Sequence, residues 1–262
     1  MHRYISKLFV TIFVLLFSMQ AVAGDKALAK LFAQQGVDGA IVISALHSGQ
    51  TFIHNDPRAN NRFTPASTFK VLNTLISLEE KATSGIDDVF KWDGHTYPIP
   101  NWNRDQTLES AFKVSCVWCY QELARRVGAQ KYRNYVRTSA YGKLREPFVE
   151  TTFWLDGSLE ISAMEQVEFL KKVYLRSLPF SKPSYETLRQ IMIVEQTTVF
   201  TIRAKTGLAW EAELKTGWYV GYVETLEDVW FFATNIVVRD ENDLPLRLKL
   251  TRAALQIKGV IE

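Results

Sequence analysis

The chain predicts an α/β fold of the mixed, α+β kind: one antiparallel sheet built from N- and C-terminal strands, with a helical lobe inserted between them. Three observations carry this. Short β-rich runs lie near both ends, helical periodicity dominates from Ser67 to about Leu178, and no repeat, low-complexity tract or Pro/Gly/Ser-rich linker divides the chain. A cleft between sheet and lobe is where a ligand would bind.

Each element follows from local sequence. Arg3 and Lys7 precede an apolar stretch, Leu8 to Phe17, too short to span a membrane comfortably, and Ala21-Val22-Ala23 is a small-x-small cleavage site. Residues 1–23 therefore read as a secretory signal peptide, with no Cys after the cleavage site to take a lipid anchor. Residues 24–262 suit a single domain with one core, exported and expected in the periplasm. Residues 25–35 read as a short helix, and Ala40–Ala45 with Thr51–His54, joined through Ser48-Gly49, as a β-hairpin. Helical patterns cover Ser67–Lys81, Thr107–Arg126, Ala129–Thr138 and Ala163–Leu175, interrupted by loop chemistry at Trp92-Asp93-Gly94 and Pro98–Trp102. Phe200–Lys205, Trp218–Thr225 and Val229–Val238 are the late strands, and Pro245–Lys258 is a final helix.

Composition narrows the function. The chain has 31 Lys and Arg against 28 Asp and Glu, and losing Arg3 and Lys7 with the signal brings the balance near neutral. With no basic stripe interleaved with aromatics, nucleic acid is not an expected partner. No membrane contact is expected after signal cleavage, and the pattern leaves the oligomeric state open. The four histidines form no metal-ligand spacing, so no metal is expected. The two cysteines, Cys116 and Cys119, read as packed thiols or a local bridge in preference to a redox-active pair.

Ser67-Thr68-Phe69-Lys70 is the informative tetrapeptide. A serine and a lysine three residues apart share a helix face, so the amine can reach the hydroxyl. Thr64 is a candidate N-cap and Pro65 suits the first helical position, which puts Ser67 near the positive end of the helix dipole. Phe69, Val71, Leu72, Leu75, Ile76 and Leu78 are too many apolar residues for one stripe, so the helix is expected to be enclosed and Lys70 to be held neutral. Acyl transfer also needs a proton relay, an oxyanion hole and an anchor. Ser115, in Ser115-Cys116-Val117, supplies a second hydroxyl; Lys205-Thr206-Gly207, at a strand end, supplies a cation and a glycine that admits close approach.

In that order and spread, S-x-x-K, S-x-V and K-T-G resemble the class D (oxacillinase-type) serine β-lactamases. The likeness runs through Pro65-Ala66-Ser67-Thr68-Phe69-Lys70, Phe90-Lys91-Trp92-Asp93-Gly94, Tyr120-Gln121-Glu122-Leu123-Ala124-Arg125, Phe153-Trp154-Leu155-Asp156-Gly157 and Gly217-Trp218-Tyr219-Val220-Gly221. The resemblance implies the serine β-lactamase/transpeptidase-like fold and hydrolysis of small-molecule β-lactams, penicillins above all, giving antibiotic resistance. It implies Ser67 as acylated nucleophile and Lys70 as a lysine modified by CO2 (bicarbonate) into the general base, with no other cofactor. It further implies Trp154 as the holder of that carbamate, and Val117 and Leu155 as the apolar pair beside it. Ser115 becomes the proton relay supported by Lys205. Thr206 and Gly207 line the substrate strand, the N–H groups of Ser67 and Leu208 form the oxyanion hole, and Arg247 binds the substrate carboxylate. A second copy, Lys215-Thr216-Gly217, is set aside because Lys215 immediately precedes the next strand. The alternative function is a penicillin-binding or sensor-type protein that stays acylated at Ser67.

Two departures from the family pattern stand out. Tyr141-Gly142-Lys143 has a lysine where the family carries asparagine, and Ser115-Cys116-Val117-Trp118-Cys119 brings a large aromatic and two thiols beside the relay serine. Both are expected to bear on substrate range and turnover.

Overall fold

The computed structural model describes residues 24–212 and 214–262; the signal peptide expected at 1–23 lies outside the described residues. Asp25 caps α1 (Lys26–Gln34), its carboxylate accepting from the Ala27 and Leu28 amides at 3.0 and 3.1 Å. The predicted hairpin follows as β1 (Gly39–Ala45) and β2 (Thr51–His54), then a short α2 (Asp56–Asn60). A 3₁₀ turn (Ala66–Phe69) leads into α3 (Lys70–Glu79). The lobe continues with β3 (Val89–Phe90), β4 (Gln106–Thr107), α4 (Leu108–Lys113), α5 (Val117–Val127) and α6 (Ala129–Ser139). After β5 (Lys143–Leu144) and β6 (Leu159–Glu160) come α7 (Ala163–Tyr174) and α8 (Lys182–Ile191). The chain closes with β7 (Ile193–Gln196), β8 (Phe200–Ala209), β9 (Thr216–Thr225), β10 (Val229–Val237) and α9 (Leu246–Ile257).

Six strands form one antiparallel sheet in the order β2-β1-β10-β9-β8-β7, so the N-terminal hairpin does join the C-terminal strands. All seven residues of β1 are buried because both faces are covered. Alternation divides them: Ala40 and Val42 pack into the core shared with the helical lobe, Ile41 and Ile43 into the core under α1 and α9. The same rule divides β8, where Ile202, Ala204 and Leu208 join the α1/α9 core, which leaves Lys205 and Gly207 on the lobe face.

Four expectations need correction. The helix predicted over Ser67–Lys81 begins as a 3₁₀ turn, since Ala66 has φ of 48° and breaks the regular backbone. Thr64 is not its N-cap; no side chain caps this turn, and the Thr64 carbonyl instead accepts from the Trp218 indole at 3.0 Å. The helix predicted over Thr107–Arg126 is two helices, α4 and α5, parted at Ser115, whose φ is 57°. Lys205-Thr206-Gly207 lies inside β8 and not at a strand end, because β9 pairs with β8 as far as Ala209.

Candidate active site

The Ser67 turn is held by an approach only glycine allows. A Cβ on Gly207 would lie 2.8 Å from the Pro65 carbonyl oxygen and 3.0 Å from Thr68 Cγ2, so β8 packs directly on the 3₁₀ turn. The close approach that Gly207 admits is thus that of the Ser67 turn. Beneath, Thr68 Oγ1 donates to the Pro65 carbonyl at 2.8 Å and accepts from Gln166 Nε2 at 2.9 Å. This network fixes the left-handed Ala66, a conformation costing about 1–2 kcal/mol for a residue other than glycine.

Lys70 is fully buried, and its Nζ donates to Ser67 Oγ at 3.2 Å. The Lys70 nitrogen sits 4.7 Å from the Tyr120 ring centroid, and the Tyr120 hydroxyl is anchored to Thr74 Oγ1 at 2.7 Å. Burial, and secondarily the charge of Lys205, hold the Lys70 pKa well below the usual lysine value. Trp154 is fully buried and stacks on Phe69, centroids 5.7 Å apart; its indole N–H has no hydrogen-bond partner. An orphaned buried donor costs about 1–3 kcal/mol. A carboxylate on the Lys70 nitrogen is chemically suited to it, so the residues present fit a CO2-modified lysine.

Ser115 occupies a helix-ending corner. Its N–H donates to the Phe112 carbonyl at 3.2 Å, and the Cys116 N–H to the Ala111 carbonyl at 2.9 Å, the paired bonds of a Schellman ending with serine where glycine is usual. Lys205 Nζ donates to Ser115 Oγ at 2.6 Å and to the Thr206 carbonyl at 3.1 Å, and lies 3.4 Å from Thr206 Oγ1. Burial, then the neighbouring charge of Arg247, lower the Lys205 pKa to about 7. Val117 opens α5 and Leu155 follows Trp154, both half-buried. Cys116 and Cys119 form a disulfide across the first turn of α5.

The β8 edge facing the Ser67 turn is identified by Ala204, whose N–H donates to Met192 outside the β9 ladder at 2.9 Å. Strand alternation sends the Leu208 N–H to that same edge, while the Leu208 side chain packs toward α1 and α9. Arg247 Nη1 donates to the Gly207 carbonyl at 2.7 Å, its Nε is buried without a partner, and burial lowers its pKa to about 10. Lys215, by contrast, lies 4.1 Å over the Trp210 ring in the β8–β9 connection. Lys143 is exposed on β5, opposite Glu160.

Several contributors escape sequence reasoning. Gln166 and Phe112, whose ring centroid is 5.5 Å from Lys205 Nζ, read as ordinary core residues, and Tyr120 lies in a stretch of family likeness that gives it no role at Lys70. Trp102 and Trp118 bind the 97–103 loop to the Ser115 corner: Trp102 Nε1 donates to the Val114 carbonyl at 2.9 Å, and Trp118 Nε1 to the Trp102 carbonyl at 3.0 Å. Among the described residues no group of three or more His, Cys, Asp or Glu could hold a metal ion, and no helix is long and apolar enough to cross a membrane.

A serine hydroxyl beside an amine kept from its proton, on a sheet-and-lobe fold, defines an enzyme for acyl transfer through serine. Residues 39–256 match the family described as penicillin binding protein transpeptidase domain. Beta-lactamase OXA-48 of Klebsiella pneumoniae is 40% identical over 230 residues, covering 88% of this chain and 87% of that one. The crystal structure of FUS-1 (OXA-85), a class D β-lactamase of Fusobacterium nucleatum subsp. polymorphum, superposes with a TM-score of 0.89 at 33% identity, over 92% of this chain and all of that one. Regulatory protein BlaR1 of Bacillus licheniformis is 37% identical over 207 residues, which are 78% of this chain but 34% of that protein. The chain belongs to the class D serine β-lactamases, hydrolases of the penicillin-binding transpeptidase family.

Proposed function

We propose that residues 24–262 form one penicillin-recognising domain that is exported behind a signal peptide. There it hydrolyses the β-lactam amide of penicillin-type antibiotics through an acyl-enzyme on Ser67, and so gives resistance. The observation that carries this is the 3.2 Å contact between Ser67 Oγ and a fully buried Lys70 Nζ.

Ser67 attacks the β-lactam carbonyl as its proton passes to the Lys70 side chain. The N–H groups of Ser67 and Leu208 stabilise the oxygen charge that develops, and donors fixed in advance are worth about 3–4 kcal/mol each in such sites. As the C–N bond breaks, the amide nitrogen takes the Ser115 proton, which the 2.6 Å contact allows Lys205 to replace. Arg247 pairs with the substrate carboxylate, and Thr206 and Gly207 line the strand beside the acyl chain. CO2 bound on Lys70, held by the Trp154 N–H, supplies an anionic oxygen base. In deacylation the Lys70 side chain takes a proton from the attacking water, whose access Val117 and Leu155 limit.

The BlaR1 likeness favours a second reading, a sensor-type protein that stays acylated at Ser67. The extent of the likeness favours the hydrolase, since the chain spans 87% of OXA-48 and all of FUS-1 but 34% of BlaR1. A chromogenic β-lactam supplied with and without bicarbonate tests the proposal. Steady hydrolysis, faster with bicarbonate, is expected; intact protein that hydrolyses under neither condition would overturn it.

A further inference from the structure

The Cys116–Cys119 bridge lies against the one left-handed residue of the relay corner. Ser115 joins two helices at φ of 57°, a conformation that a serine holds only where its surroundings over-determine it. Cys116 has two tasks there. Its N–H closes the end of α4 on the Ala111 carbonyl, and its Sγ stands in the N-cap position of α5, accepting from the Cys119 amide at 3.3 Å. Sulfur is a weak acceptor, far poorer than the Ser, Thr, Asp or Asn oxygen usual at this position. Polar capping therefore leaves the corner weakly fixed at the residue after Ser115. The Trp102 and Trp118 indoles hold the flanks, at Val114 and Trp118, but neither touches Ser115 or Cys116 by hydrogen bond. Both cysteines are fully buried, and the bridge closes the first turn of α5 on the residue that follows Ser115.

We infer that Cys116 and Cys119 are positioning residues for the reaction: their disulfide holds Ser115 Oγ at Lys205 Nζ, and the enzyme reaches full acylation rate only once oxidised. This rests on the reading of Ser115 as the proton relay. It also links activity to export, since a thiol oxidant is available outside the reducing cytoplasm. With oxidised glutathione the step balances: two thiols lose two electrons and two protons, the S–S bond forms, and glutathione disulfide becomes two glutathione thiols.

The test compares three proteins: wild type kept under reductant with two free thiols counted, wild type oxidised with glutathione disulfide, and Cys116→Ala/Cys119→Ala. Acylation by a penicillin is followed by rapid-quench mass spectrometry. The Lys205 side-chain signal is followed by NMR with isotope-labelled lysine, assigned through Lys205→Arg. Reduced wild type and the double variant are expected to acylate about 10- to 100-fold more slowly than the oxidised form, the scale of a small displacement of a reacting group. The Lys205 signal is expected to move on reduction, and glutathione disulfide to restore rate and signal in wild type only. Equal acylation rates with an unmoved Lys205 signal, differing only in melting temperature, would overturn the inference and leave the bridge a staple of the fold. Two free thiols remaining after oxidation would overturn it as well. If no form is acylated, it is the proposed function that fails, and the Lys205 signal still decides whether the bridge positions the corner.

Discussion

Lys205 Nζ and Ser115 Oγ are 2.6 Å apart although they come from different layers, the lysine from the sheet and the serine from the helical lobe. The contact joins the two layers, so it forms only when both are docked. Ser67 and Lys70 differ in this respect, lying three residues apart on one continuous segment.

Trp154→Phe keeps the packing against Phe69 and removes the unpartnered indole N–H. It should fold normally and lose the response to bicarbonate, with deacylation about 100-fold slower, the cost of one charge-stabilising donor. Steady-state rates across a bicarbonate series, with labelled CO2 followed by NMR, read both effects.

Gly207→Ala places a methyl 2.8 Å from the Pro65 carbonyl oxygen. Neither neighbour is the free end of a flexible side chain, so β8 and the Ser67 turn must part, at about 1–3 kcal/mol of stability. Acylation should fall more than substrate binding, because the proposed oxyanion donors, the Ser67 and Leu208 N–H groups, sit on the two sides of that contact. Melting temperature and single-turnover rates check it.

Arg247→Ala should raise KM for penicillins by about 10- to 100-fold while changing kcat less, in line with about 1.5–3 kcal/mol for a charged hydrogen bond. Because Arg247 is also the second cause of the low Lys205 pKa, its loss should raise that pKa from about 7 and move the corresponding limb of the pH profile upward. Kinetics from pH ~6 to 9 give both numbers.

Stability should rise with pH over the same window. Unfolded lysines titrate near ~10.4, whereas Lys205 titrates at about 7 in the fold and Lys70 is also well lowered. Above about 7 the unfolded chain binds protons that the native state does not, so raising pH favours the native state. The penalty for burying these amines is fully present below the folded value. In CO2-free buffer the melting temperature should increase from pH ~6 to 9, and Lys205→Met should flatten the rise.

Sequence reading located the sheet and the Ser67/Lys70 pair because both depend on local periodicity and short spacing. Lys205 and Lys215 differ in sequence for the same reason, since only Lys205 lies within a β-rich run; in the fold Lys205 reaches Ser115 and Lys215 lies over Trp210. Sequence reading failed where distant residues decide the backbone. Nothing in Ser115-Cys116 announces a left-handed residue, so α4 and α5 read as one helix. Gly207 suggested a strand end, yet its purpose is contact with a turn far away in sequence. Thr64 has the side chain of a cap, but the left-handed Ala66 starts the turn after Pro65, and the Thr64 carbonyl goes to Trp218, 154 residues on. Gln166 has no signature beyond that of a core residue.

The most direct test is a short penicillin pulse on wild type, Ser67→Ala and Lys70→Ala, followed by intact-mass spectrometry with peptide mapping. Wild type should carry an adduct on Ser67 that disappears within the chase, Ser67→Ala should carry none, and any adduct on Lys70→Ala should persist. An adduct on wild-type Ser67 that never clears, or acylation that survives Ser67→Ala, would contradict the account.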